Sequence, residues 1–156
     1  MAFEPQKPTP GRRRILVVCY GNICRSPIAE ALLKRKLKAA GLEREFVVRS
    51  AGVRAEPGYP AARGTLAVAA AHGLDLAMHR ARRLTADMAR EADVLIALDE
   101  VVEEEIRILA GDIDVLLWPV DDPFSGPDAG YARAYEEIEL LADEFLETLP
   151  KPPSRR

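Results

Sequence analysis

The sequence predicts a single α/β domain: a three-layer sandwich with a four-stranded parallel sheet, helices on both faces and a phosphate-binding loop after the first strand. Three observations carry this. The runs Ile15–Val18, Phe46–Val48, Val94–Leu98 and Val115–Trp118 are apolar throughout rather than alternating, as strands covered on both faces are. Helical patterns separate them with short connections, and this alternation calls for parallel strands and crossover helices. The first run also ends in a cysteine, and open parallel sheets bind ligands beyond the carboxyl ends of their strands.

Residues 1–12 form an expected disordered extension, because Pro5, Pro8 and Pro10 interrupt a stretch with almost no apolar pattern. The domain is expected over 13–150, and 151–156 form a tail. After the first strand, Ser26 to Ala40 reads as a helix, with Ser26 as cap, Pro27 in the first position and Gly41 as stop. Ala29, Leu33, Leu37 and Ala40 make its apolar stripe, flanked by Ile28 and Leu32. Thr65 to His72 ends at Gly73, Thr85 caps a further short helix, and Glu100 to Ala110 follows the third strand. A last helix is expected over Asp128 to Leu149, with Tyr131, Ala134, Tyr135, Ile138, Leu141, Phe145 and Leu149 inward. There is no internal repeat and no low-complexity tract.

A chain of 156 residues is one domain's worth and long enough to bury a core. With 48% hydrophobic and 30% charged residues it has an ordinary globular composition. A net charge of -3 offers no reason to expect nucleic acid or a membrane surface. No apolar stretch approaches the ~20 residues of a membrane span. The apolar run after Arg12-Arg13-Arg14 is too short for a secretion signal, so a cytoplasmic location is expected. The two cysteines, Cys19 and Cys24, share one loop and are poor structural staples. With His72 and His79 distant from them, no metal ligand spacing arises, and neither metal nor organic cofactor is expected.

The ten residues from Val18 to Pro27 hold the chemistry. Five residues separate Cys19 from Arg25, and Ser26-Pro27 opens a helical pattern. A sulfur, a loop of backbone N–H groups, a guanidinium and a helix N-terminus thus surround one point. Such a pocket suits a phosphate dianion with a nucleophile beneath its phosphorus. Backbone dipoles, the helix start and the Arg25 charge favour the reactive thiolate of Cys19. The planar fork of Arg25 can grip two phosphoryl oxygens, which lysine could not. Gly21 permits close backbone approach, and Asn22 tolerates positive φ. Ser26 can offer its hydroxyl to the sulfur. A plainer reading, a buried cysteine and a capping Ser-Pro, covers Cys19 and Ser26 singly but not Gly21, Asn22 and Arg25 between them.

Cys19-Tyr20-Gly21-Asn22-Ile23-Cys24-Arg25-Ser26-Pro27 resembles the signature of the low-molecular-weight protein tyrosine phosphatases, and residue usage points to a bacterial member. The likeness runs from about Arg14 to Leu149. It takes in Ser50-Ala51-Gly52, His72-Gly73, His79 with Arg80-Ala81-Arg82, Asp99-Glu100 and Asp122-Pro123-Phe124. The resemblance implies hydrolysis of phosphotyrosine in proteins through a phosphocysteine: Cys19 as nucleophile, Arg25 as phosphate and transition-state ligand, Asp122 as general acid and then base. Such proton transfer contributes ~10²–10⁴-fold. Pro119, Pro123, Gly126 and Pro127 mark the Asp122 region as a loop. Asp121 competes for the role, and both aspartates could simply form a turn.

The resemblance also implies substrate contacts from Tyr20, Gly21, Asn22, Ile23, Cys24, Ser26 and Phe124, with Tyr20 and Phe124 as aromatic walls. Phosphoserine would leave its reactive group too short to reach a deep loop. Ser50 and His79 are expected to support the loop, although Ser50 could merely end a strand and His79 satisfy local backbone. Glu30 matches a family position or is an ordinary solvated residue; Asp99 supports the site or caps a helix. Arg80, Arg82 and Arg83 form a basic cluster that either meets acidic substrates or is a solvated face. Cys24 either traps an oxidised Cys19 as a disulfide or fills space.

A tyrosine-phosphorylated protein is the implied partner, with its cognate tyrosine kinase as a second, and the chain is expected to be a monomer or weak dimer. Relatives with this loop include phosphoarginine phosphatases, in which threonine typically precedes the second loop cysteine; Ile23 here favours phosphotyrosine. Thioredoxin-coupled arsenate reductases use a further cysteine outside the loop, and this chain has none. A phosphotyrosine-binding module without catalysis is a third class, opposed by Cys19, Arg25 and Asp122 standing together.

Overall fold

The structure, a computed structural model, describes residues 11–151. Most of the expected N-terminal extension (1–10) and of the tail (152–156) lies outside the described residues. Arg12, which the sequence places in that extension, donates from Nη2 to the carbonyl of Phe46 at 2.8 Å.

Strand β1 spans Arg13–Cys19 and β2 spans Phe46–Gly52, with helix α1 (Arg25–Ala39) between them. Helices α2 (Arg63–Ala71) and α3 (Ala86–Glu91) precede β3 (Val94–Ala97). Helix α4 (Glu100–Ala110), β4 (Leu116–Leu117) and α5 (Asp128–Glu147) complete the chain. All strand pairs are parallel, in the order β2-β1-β3-β4. The chain leaves β1 towards β2 on one side and later adds β3 on the other. The order therefore reverses between β1 and β3, where parallel sheets open a crevice.

Alternation along β1 builds both cores. Ile15, Val17 and Cys19 face α1 and α5, where they meet Ile28, Leu32, Leu33, Tyr135 and Ile138. Leu16 and Val18 face the α3 and α4 side with Ala89, Val102 and Ile106. A strand buried on both faces needs no polar alternate, which is why β1 reads as a continuous apolar run.

Helix α1 closes in a Schellman motif: Leu42 N donates to Leu37 O at 2.8 Å and Gly41 N to Lys38 O at 3.1 Å. Gly41 takes φ +75°, as a glycine at that position can. Thr85 caps α3 by accepting from Met88 N at 3.1 Å. Two expectations are corrected. Ser26 does not cap α1, which starts at Arg25 with no side-chain cap, because the Ser26 hydroxyl is engaged by the phosphate loop. Val115–Trp118 is not a doubly covered strand: β4 is a two-residue edge strand on which Leu116 is exposed and only Trp118 of the run is buried. Leu141 in α5 and Leu149, two residues past its end, are only partly buried against the core, while Ala142 is fully buried. Among the described residues no helix is long and apolar enough to cross a membrane.

Candidate active site

Residues 19–26 turn at the carboxyl end of β1, beside the crevice. Cys19 Sγ accepts from Asn22 N at 3.2 Å and lies 2.9 Å from Ser26 Oγ. Asn22 Nδ2 donates to Ser26 Oγ at 2.7 Å, which leaves the Ser26 hydroxyl hydrogen free for the sulfur.

Asn22 is the hub of the loop. It is fully buried at φ +57°, a conformation that asparagine tolerates better than most residues. Besides Ser26, Nδ2 donates to Ser50 Oγ at 3.0 Å, and Oδ1 accepts from Arg82 N at 2.9 Å. His79 Nε2 lies 2.7 Å from the Asn22 carbonyl, which requires the proton on Nε2. Ser50 passes its own hydrogen to Glu30 Oε1 at 2.5 Å. The two residues expected to support the loop are thus both joined to Asn22, and Glu30 joins them through Ser50.

Strand β2 braces the loop from one side. Val53 N donates to Cys19 O at 3.1 Å and Arg54 N to Tyr20 O at 2.9 Å. Gly52 makes this approach possible: a Cβ there would lie 2.7 Å from Asn22 N and from Tyr20 O. Ala62 N donates to Ile23 O at 2.8 Å, which holds the loop from the α2 side.

Arg25 is 1% exposed, and its guanidinium is fixed along one edge. Nη1 donates to Asp99 Oδ2 at 2.8 Å and Val120 O at 2.7 Å, with Leu98 O at 3.4 Å. Asp99 serves both readings at once, since its Oδ1 accepts from Val102 N at 2.8 Å and caps α4. The other edge is uncommitted: Nε has no partner, and Nη2 has only Asp122 Oδ2 at 3.6 Å. A buried donor pair of this kind is matched by two oxygens of a phosphoryl group.

A cavity of about 220 Å³ opens over this edge. Cys19, Gly21, Ile23, Cys24 and Arg25 line it, with Asp122 across from the loop and Tyr20 and Phe124 as half-exposed walls. Asp122 arrives because Trp118 N and Val120 N pair with Ala97 O and Leu98 O, extending the strand direction to the carboxyl edge. Asp122 Oδ1 then accepts from Phe124 N at 3.1 Å and sets the turn. Asp121 is exposed and does not line the cavity.

Asn22 and Ser26, expected among the substrate contacts, do not line the cavity with their side chains, which bond to each other and to Ser50 and Cys19. Sequence reasoning missed Arg54, Glu56 and Tyr59, which complete the rim. Tyr59, an aromatic residue within Pro57-Gly58-Tyr59-Pro60, was the one available signal. Of the basic cluster, Arg82 contributes its backbone, and none of Arg80, Arg82 or Arg83 lines this cavity.

Cys24 is a different thiol from Cys19. Its sulfur is buried 3.9 Å from the Tyr131 hydroxyl, and burial pushes the thiol up to about 11. Burial likewise carries the Tyr131 phenol to about 12, with Cys24 adding to the shift.

Comparisons with known proteins agree with this geometry. Residues 14–154 match the family described as low molecular weight phosphotyrosine protein phosphatase. The probable low molecular weight protein-tyrosine-phosphatase EpsP of Ralstonia nicotianae is 43% identical over 142 residues, covering 86% of this chain and 94% of that protein. The tyrosine phosphatase Wzb of Escherichia coli K30, solved with sulphate, is 31% identical with TM-score 0.80, covering 89% and 99% of the two chains. The YwlE arginine phosphatase of Bacillus subtilis is 29% identical with TM-score 0.78, covering 86% and 97%. The chain belongs to the low-molecular-weight phosphotyrosine protein phosphatase family.

Proposed function

We propose that this chain hydrolyses phosphotyrosine in proteins through a phosphocysteine intermediate. The observation that carries the reading is the uncommitted Nε and Nη2 edge of Arg25, buried beside Cys19 and facing Asp122 across one cavity. That edge takes two equatorial oxygens of the phosphoryl group, and loop N–H groups take the rest. The Cys19 thiolate attacks phosphorus in line as the bond to the tyrosine oxygen breaks. Asp122 gives that oxygen its proton, so the leaving group departs as a neutral phenol. In the second step Asp122 takes a proton from water, water attacks the phosphocysteine, and the P–S bond breaks. The Ser26 hydroxyl, 2.9 Å from Sγ, stabilises the departing thiolate.

Tyr20, Tyr59 and Phe124 offer aromatic faces around the cavity, which favours an aryl phosphate. The physiological partner is accordingly a tyrosine-phosphorylated protein, and its kinase the enzyme that opposes this one. The likeness to an arginine phosphatase supplies the competing substrate. Matched phosphotyrosine and phosphoarginine peptides separate the two. The phosphotyrosine peptide is expected to show the higher kcat/KM; faster turnover of phosphoarginine would replace this reading.

A further inference from the structure

A second cavity, of about 240 Å³, lies on the α3 side of the sheet. Two cross-strand pairs form its base, Arg14 beside Val47 and Leu16 beside Arg49, at the edge where β2 has no further strand. Helix α3 has only six residues and leaves this corner open, while Met88, Glu91, Ala92 and Arg82 form the remaining walls.

The charges do not balance. Glu91 is matched by Arg14 at 3.0 Å. Among the described residues, Arg49 Nη1 meets only the neutral carbonyl of Val48, at 3.0 Å, and Arg82 has no carboxylate partner. Arg49 and Arg82, both exposed, therefore border half-buried Val47, Met88 and Ala92 with no carboxylate partner among the described residues, in a chain of net charge -3. A phosphate group satisfies paired guanidiniums, and an attached apolar group covers the floor. The volume is below the roughly 300–1,000 Å³ of drug-sized sites and suits one ring with its phosphate.

We propose that this corner is a second binding site, for a small aryl or similarly apolar organic phosphate. The site is coupled to the phosphate loop through one residue. The Arg82 backbone N–H holds Asn22 Oδ1 at 2.9 Å, and its carbonyl accepts from Gly52 N at 2.9 Å. A ligand that draws the Arg82 side chain towards Arg49 pulls on the hub of the loop.

The test uses the full chain with methyl-labelled methionine and the active-site sulfur blocked by one equivalent of vanadate. Phenylphosphonate is titrated, and the Met88 methyl and the Asn22 side-chain amide are followed by NMR. Both signals are expected to move saturably with one midpoint. Arg49→Ala is expected to raise that midpoint tenfold or more and leave vanadate affinity unchanged. A silent Met88 methyl, an unchanged midpoint in Arg49→Ala, or the same shifts from uncharged benzyl alcohol would overturn the site. Met88 moving while Asn22 stays still would overturn the coupling. An acidic peptide that moves Met88 at lower concentration would make the corner a protein-docking surface instead.

Discussion

Arg25 and Asp99 form a 2.8 Å ion pair in which the carboxylate divides its oxygens, Oδ2 to the guanidinium and Oδ1 to the first turn of α4. One aspartate thus fixes both the Arg25 guanidinium and the helix behind it. Asp99→Ala is expected to lose the cap and leave Arg25 short of its counter-charge, lowering stability by about 1–3 kcal/mol. With Arg25 less firmly aimed, kcat/KM should fall roughly 10- to 100-fold. Asp99→Asn keeps one acceptor, which can still take the Val102 N–H, but sets an amide donor against Arg25, so it should recover the helix cap and not the hold on the guanidinium. Thermal unfolding and steady-state kinetics on both variants check this. Wild-type kcat/KM in Asp99→Asn would mean that Arg25 does not depend on this carboxylate for its aim.

Asp122 borders the cavity and Asp121 does not. Asp122→Asn should lower kcat about 10²–10⁴-fold on substrates with poor leaving groups, and much less on activated aryl phosphates. Asp121→Asn should stay near wild type. A leaving-group series on the two variants decides the assignment, and a larger loss in Asp121→Asn would reverse it.

The site was legible where one residue could do one thing. An apolar run ending in Cys19, with Arg25 six positions on, has few structural uses, and the fold delivers both to the same point. Ser26 was misread because the sequence shows a serine before a helical run but not the Asn22 amide and Cys19 sulfur that compete for its hydroxyl. The β4 run was misread because apolar composition does not distinguish a central strand from an edge strand such as the one holding Leu116. Gly52 matters through its closeness to a loop at least thirty residues away, and Tyr59 through the cavity that it lines with that loop, which local pattern does not display.

Burial keeps the proton on Cys24, whose thiol rises from 9.0 to about 11. At pH 8 its thiolate fraction is about 10⁻³, so in Cys19→Ser the remaining thiol should resist iodoacetamide until the pH approaches 10. The linkage sign follows from the same shift. Below pH 9 the thiol is protonated in both folded and unfolded chains. Between about 9 and 11 the unfolded chain loses its proton first, so stability falls as pH rises. Tyr131, raised from 10.0 to about 12, acts in the same direction slightly higher. Denaturation midpoints from pH 8 to 11 should decline more gently in Cys24→Ala. Fast alkylation at pH 8 in the folded protein would refute the buried state of this thiol.

Gly64 touches the Tyr131 ring so closely that a Cβ would lie 2.5 Å from it. Gly64→Ala must displace a buried aromatic that also covers Cys24, and is expected to cost about 1–3 kcal/mol. A lowered Tm together with faster Cys24 labelling would show the displacement. An unchanged Tm would mean that the ring moves freely.

The central claim is that Cys19 carries the phosphoryl group. Phosphate release from a phosphotyrosine peptide, compared between wild type and Cys19→Ser under reducing conditions, tests it most directly. The account predicts steady turnover by the wild type and none by the folded variant. Turnover that survives in Cys19→Ser, or a folded and reduced wild type that releases no phosphate, would contradict it.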